Sequence, residues 1–64
     1  MTRKHYRMIA EDIRHSITMA DSNAATDAIS RLARDMAASF KRDNSSFRFD
    51  TFYAACGLNE WGNV

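Results

Sequence analysis

The sequence predicts an all-α fold, in which two long helices form an antiparallel hairpin and a short third helix follows. Three observations favour it: the 64-residue chain has no proline, both glycines lie in its last eight residues, and apolar residues recur every three or four positions before them. We expect one small domain, with helices at about residues 2–20, 24–42 and 50–56 and a tail at 58–64.

The first predicted helix has one narrow apolar stripe. Its members are Tyr6, Ile9, Ala10, Ile13, Ile17 and Ala20. Met8 and Met19 fall outside this stripe, on the polar side of the helix. Because methionine is frequent at adaptable binding surfaces, both are candidate protein contacts. The alternative is that they are ordinary scattered surface residues.

Asp21, Ser22 and Asn23 favour a turn, since their side chains hydrogen-bond to nearby backbone. The helix that follows has an apolar face covering about half its circumference. This face comprises Ala25, Ala28, Ile29, Leu32, Ala33, Met36, Ala37 and Phe40. A face this wide normally contacts two partners, here helix one and either helix three or a second copy of the chain. Its larger members, Ile29, Leu32, Met36 and Phe40, are therefore candidate core or oligomer residues.

The polar face of helix two, which includes Arg34, is predicted to be solvated. In the third helix we expect Asp50 to be the N-cap, with Phe49 packing onto Ala54 as a hydrophobic staple. Gly57 is expected to end the helix in the left-handed conformation. Cys56, just before this stop, is predicted to be a small buried apolar residue rather than a reactive thiol.

Aromatic residues are concentrated in the C-terminal third of the chain, where they are expected to cover the open end of the hairpin. Trp61 lies beyond the last helix in a polar tail, and tryptophan is enriched at binding hot spots. It is a candidate protein contact. The alternative is that it packs onto its own domain.

A chain this short builds a marginal core, which small domains supplement with disulfides, a metal or oligomerisation. One cysteine excludes an internal disulfide, and Cys56, His5 and His15 are too far apart in sequence for a zinc site. Self-association remains, so we expect a homo-oligomer.

No combination of residues predicts catalysis. We expect no catalytic residues, no bound metal and no cofactor. Glu11 and Asp12 are adjacent and point in different directions, and no glycine-rich phosphate loop is present. A helix-turn-helix is also disfavoured, because residues 51–56 contain no Arg, Lys, Asn or Gln to read base edges. The chain is therefore predicted not to be an enzyme.

The net charge is only +1, but basic residues are concentrated near the start of helix one. Arg3, Lys4, Arg7 and Arg14 are candidate contacts for phosphates, a small nucleotide or an acidic protein. No apolar run approaches the ~18 residues that a membrane-spanning helix needs. This fact and the single cysteine predict a cytoplasmic protein without a membrane partner.

Three segments carry a resemblance to known proteins. They are Arg3-Lys4-His5-Tyr6 with Ile9-Ala10, then Leu32-Ala33 with Phe40, and above all Phe49-Asp50-Thr51-Phe52-Tyr53-Ala54-Ala55-Cys56-Gly57. The pattern resembles short accessory proteins of tailed bacteriophages. One departure is Phe47-Arg48, where the resemblance implies an Asn or Asp. The resemblance implies a protein of the infected bacterial cytoplasm that binds a host or phage protein, or sequesters a signalling nucleotide.

Three functional hypotheses follow. The first is a small homo-oligomeric binding protein that acts stoichiometrically, as an inhibitor of a host anti-phage defence system. The second is a nucleotide or nucleic-acid binder that uses the basic face of helix one across an oligomer interface. The third is a structural subunit of a larger, open-ended assembly.

Overall fold

The structure, a computed structural model, describes residues 2–64. These residues form three α-helices and no β-strand: α1 (Arg3–Met19), α2 (Asn23–Asp43) and α3 (Phe49–Ala55). The all-α prediction is confirmed, and each observed helix boundary lies one residue from the predicted one. All three helices pack against one another. No helix in this part of the chain is long and apolar enough to cross a membrane.

Side-chain caps determine where α1 and α2 begin. At the start of α1, the backbone N–H of Thr2 donates to Nδ1 of His5 at 3.4 Å, so histidine takes the place of the usual Glu or Gln of a capping box. At the start of α2, the hydroxyl of Ser22 accepts from the Ala25 N–H at 3.1 Å. The three-residue link between α1 and α2 therefore ends in an N-cap.

The predicted N-cap of α3 is wrong by two positions. Arg48 occupies the N-cap, the helix begins at Phe49, and Asp50 lies in the first turn. The physical reason is that the Asp50 carboxylate is engaged by the Arg48 guanidinium, with Nη2 3.0 Å from Oδ2. Its other oxygen accepts from the Thr51 N–H at 2.9 Å. Asp50 therefore compensates an unpaired amide from inside the helix.

The hydrophobic staple shifts with the cap. The residue before the N-cap is Phe47, and its ring centroid lies 5.5 Å from that of Phe52 in the second turn. Phe49 packs onto Phe47 and Tyr53 at 5.8 and 6.0 Å, and its predicted partner Ala54 is exposed. The sequence pattern indicates a staple correctly, but its members are Phe47 and Phe52.

The end of α3 is a complete Schellman motif. Gly57 has φ +79°, as predicted, and its N–H donates to the Ala54 carbonyl at 3.1 Å. The Leu58 N–H donates to the Tyr53 carbonyl at 2.9 Å. These bonds direct residues after Leu58 back across α2.

The core is built mainly from the C-terminal part of the chain. Its buried apolar residues are Ala10, Ile13, Ala33, Ala37, Phe47, Phe52, Tyr53, Cys56 and Leu58. Three are fully buried alanines, which let the helix backbones approach closely. The short third helix and its flanks therefore supply most of the apolar volume between α1 and α2.

The wide apolar face of α2 is only partly covered. Ile29, Met36 and Phe40 are half-buried against the core, but Leu32 is 55% exposed. The reason is that α1 and α3 cover the side of α2 that carries Ala33, which leaves Leu32 outside. Within one chain Leu32 is therefore not a core residue.

Cys56 is fully buried, which confirms its prediction as a small apolar core residue. Burial raises the pKa of its thiol from 9.0 to about 11. The folded chain therefore holds this proton more tightly than the unfolded chain does. The stability that follows is fully present below pH 9 and is lost as the pH rises through about 11.

We expect the free energy of unfolding to fall by on the order of 2 kcal/mol between pH 9 and pH 11 through Cys56 alone. Urea unfolding followed by circular dichroism across this range measures it. In Cys56→Ala this contribution is absent, so its stability should fall less steeply over the same range. Parallel pH profiles for the two proteins would contradict the assignment.

Candidate functional site

The C-terminal tail forms a hydrogen-bonded turn. The Asn59 side-chain oxygen accepts from the backbone N–H groups of Trp61 and Asn63, each at 3.0 Å. The Asn59 N–H donates to the Asn63 carbonyl at 2.8 Å, and the Gly62 N–H donates to the Asn59 carbonyl at 3.0 Å. Asparagine is suited to such turns because its side chain can replace a backbone acceptor.

Arg34 anchors this turn to α2. Its Nη1 donates to the Gly62 carbonyl at 2.8 Å and to the Asn63 side-chain oxygen at 2.7 Å. The expectation that Arg34 is simply solvated is therefore wrong: the side chain is half-buried and binds the tail. The sequence pattern misses this contact because the partners of Arg34 lie 28 and 29 positions away along the chain.

Gly62 lets the turn lie flat on the domain. It is buried, has φ +76°, and lies between the side chains of Arg34 and Tyr53. A Cβ at this position would be 2.7 Å from Arg34 Cγ and 2.9 Å from Tyr53 Cζ. Only glycine fits both the backbone conformation and the space.

Trp61 lies at the outer side of this anchored turn and is 69% exposed. It lines an open groove of about 540 Å³ between the tail and the start of α3, which we call the Trp61 groove. Its lining residues are Lys41, Phe47, Arg48, Phe49, Asp50, Glu60 and Trp61. Phe49, 37% exposed, contributes a second accessible aromatic surface.

Charges of both signs surround the two aromatic side chains. Arg48 and Asp50 form the ion pair at one side, and the hydrogen bond from Arg48 lowers the pKa of Asp50, with the Thr51 N–H contributing next. Lys41 donates to the Ser45 and Phe47 carbonyls at 2.7 and 3.0 Å and so fixes the loop before α3. The groove therefore has an apolar centre and a polar, mixed-charge edge.

The other two candidate protein contacts, Met8 and Met19, lie on α1 and not in the Trp61 groove. Met8 is 52% exposed and Met19 is 68% exposed, both on α1, and neither lines the Trp61 groove. They are eleven residues apart, about three helical turns, so they lie on the same side of α1.

The four candidate anion-binding residues are separated by the fold. Arg3 and Arg7 line a second cleft, which Arg48 also lines. Lys4 is exposed and lines neither cavity. The alkyl part of Arg14 lies beside Gly57, at the end of α3.

Chemically reactive groups are not brought together in the described structure. Residues 2–64 contain no cluster of three or more His, Cys, Asp or Glu that could hold a metal ion. His5 belongs to the α1 cap, and the buried Cys56 has a pKa far above the range of an activated thiol. The accessible chemistry of both cavities is aromatic and charged.

Comparison of the chain with protein-family models, curated proteins and solved structures gives no match in any of the three.

We expect Arg34→Met to loosen the turn that carries Trp61 while leaving the three helices folded. Loss of two charge-assisted hydrogen bonds should speed amide exchange at Trp61 and Asn63 by at least about tenfold. Hydrogen exchange measured by NMR tests this. Arg31→Met removes an exposed arginine from the same helix and should leave both amides unchanged. Unchanged exchange in Arg34→Met would show that the turn does not depend on the anchor.

Proposed function

We propose that this chain is a small non-enzymatic binding protein that acts stoichiometrically, by holding a partner protein at the Trp61 groove. One observation carries the proposal: Trp61 is 69% exposed on a turn that Arg34, Asn59 and Gly62 hold in place. A tryptophan that merely covered its own domain would be expected to pack inward.

The anchored turn favours binding because it reduces the entropy lost on association. Tryptophan offers a large apolar surface with few rotatable bonds, and a backbone already fixed needs no further ordering. Phe49 extends the apolar area at the opposite side of the groove. An aromatic centre within a polar edge is the usual composition of a protein interface.

The mixed charges around the groove favour a protein as the partner over a nucleic acid, whose charges are all of one sign. Lys41 and Arg48 are countered by Asp50 and Glu60 within the same lining. A partner with charges of both signs can pair with this edge, whereas the charges of a nucleic acid are all negative.

The resemblance to short accessory proteins of tailed bacteriophages supports a proposal for the partner. We propose that the chain acts in the cytoplasm of an infected bacterium. Its proposed partner is a host protein of an anti-phage defence system, which it inhibits by binding. Stoichiometric inhibition requires only a stable complex that covers the partner's working surface.

We further propose that α1 and α2 run antiparallel. We also propose that a second copy of the chain covers the exposed part of α2. Leu32 lies on that surface with Ile29 and Met36, both half-buried. A domain of this size gains stability by burying such a face. A closed oligomer of this kind leaves the Trp61 groove free for another protein.

We expect Trp61→Ala to weaken partner binding by at least about 2 kcal/mol, about 30-fold in Kd. The immobilised chain is exposed to bacterial lysate, the retained protein is purified, and its affinity and stoichiometry are measured by calorimetry. Val64→Ala is the control, because Val64 is an apolar residue that is 69% exposed and does not line the groove. A partner that binds Trp61→Ala and wild type equally would place the interface elsewhere.

We expect Leu32→Glu to convert the oligomer to a folded monomer, because a carboxylate in a buried apolar interface has no partner. Light scattering after size-exclusion chromatography measures the mass, and circular dichroism confirms the fold. Arg31→Glu changes an adjacent exposed residue and should retain the oligomer. A wild-type monomer at all protein concentrations would refute the proposed assembly.

A further inference from the structure

The second cleft lies between the first half of α1, the loop before α3, and α3 itself. Its volume is about 520 Å³, within the ~300–1,000 Å³ typical of small-molecule sites. We call it the Arg3–Arg7 cleft. Its lining residues are Arg3, Tyr6, Arg7, Ala10, Asn44, Ser46, Phe47, Arg48, Thr51, Phe52 and Ala55.

The charge of this cleft is of one sign, unlike that of the Trp61 groove. Its lining contains three arginines and no Asp or Glu, although the whole chain has nine basic and eight acidic residues. Arg48 is paired with Asp50 beyond the lining. The side chains of Arg3 and Arg7 make no hydrogen bond or ion pair within residues 2–64, where the ion pair observed is that of Arg48 with Asp50, so two guanidinium groups remain unneutralised.

Arg3 and Arg7 are four residues apart on α1, so their side chains leave the helix on the same side, one turn apart. Guanidinium groups in such an arrangement can bind one phosphate together, because each presents a planar pair of N–H donors. Both are exposed, so a ligand reaches them without displacing the core.

The inner wall of the cleft is aromatic. Tyr6, Phe47 and Phe52 line it, and the Tyr6 and Phe47 rings meet edge to face at 5.0 Å. The Tyr6 hydroxyl is buried and has no hydrogen-bond partner within residues 2–64. An unsatisfied buried hydroxyl is unfavourable, but because it has no accessible surface it is not itself a contact for a ligand.

Neutral polar side chains complete the wall opposite α1. Asn44, Ser46 and Thr51 line that side. The Asn44 side-chain oxygen already accepts from the Ser46 N–H at 3.0 Å, which leaves its amide group as a donor. Such groups are suited to the hydrogen-bonding edge of a heterocycle.

We propose that the Arg3–Arg7 cleft binds a nucleoside 5′-monophosphate or a ligand of that class. The phosphate lies between the two guanidinium groups, and the neutral side chains meet the edge of the base. The base packs against the half-buried Tyr6 ring and the small accessible parts of Phe47 and Phe52, which are 5% and 4% exposed. The site is formed within one chain and needs no oligomer, and it shares only Phe47 and Arg48 with the Trp61 groove. It uses two of the four basic residues that the sequence indicates, together with the aromatic wall.

A mononucleotide fits these observations better than a nucleic-acid strand. The unneutralised charge is confined to one cleft, while Lys4 lies outside it and Arg14 packs beside Gly57. A strand would need a longer basic track and successive exposed aromatic platforms.

The test is NMR titration of the full chain with each of the four ribonucleoside 5′-monophosphates, with adenosine, with inorganic phosphate and with a dT10 oligonucleotide. We expect at least one monophosphate to shift the amide signals of α1 and of residues 44–51, and to bind at least about tenfold more tightly than adenosine or phosphate. Affinity should fall as salt rises, because the contacts to phosphate are ionic.

Arg3→Gln with Arg7→Gln should weaken that binding at least about tenfold. Lys4→Gln with Arg31→Gln removes the same charge outside the cleft and should bind as wild type does. The proposal is overturned if no monophosphate shifts the signals, if the two double variants bind alike, if phosphate alone binds as tightly, or if dT10 binds more tightly than every monophosphate.

Discussion

The packing of Phe47 is the interaction on which the rest of the structure depends. Its ring contacts Tyr6 of α1, Phe40 of α2, and both Phe49 and Phe52 of α3, with centroids 5.0 to 5.8 Å apart. One side chain therefore joins all three helices. In a domain with so little apolar volume, truncating this side chain would leave a cavity at the point where the three helices meet.

The two candidate sites lie on either side of Phe47. It lines the Trp61 groove and also the Arg3–Arg7 cleft, and the neighbouring Arg48 is shared in the same way. The groove has charges of both signs, whereas the cleft has unneutralised arginines. The same short loop therefore separates the groove proposed to bind a protein from the cleft proposed to bind a small anion.

Local signals predicted most of the fold. The missing prolines, the spacing of apolar residues and the turn at Asp21–Asn23 gave helix positions to within one residue. The departures arose from competing partners: Asp50 is engaged by Arg48, so the cap of α3 moves to position 48. Arg34 is indistinguishable in sequence from other residues of a polar helix face, because the tail it binds lies 28 positions away.

The sequence by itself determined the helices, the left-handed Gly57 and the burial of Cys56, because these depend on backbone preferences and residue size within a few positions. It also indicated Trp61, Arg3 and Arg7 as candidate binding residues. Only the tertiary structure decided which of these share a cavity. Folding the tail onto Arg34 and Tyr53 leaves Trp61 exposed, and docking α3 brings Arg48 into the same cleft as Arg3 and Arg7. These contacts join distant segments, whose pairing depends on how the whole core packs.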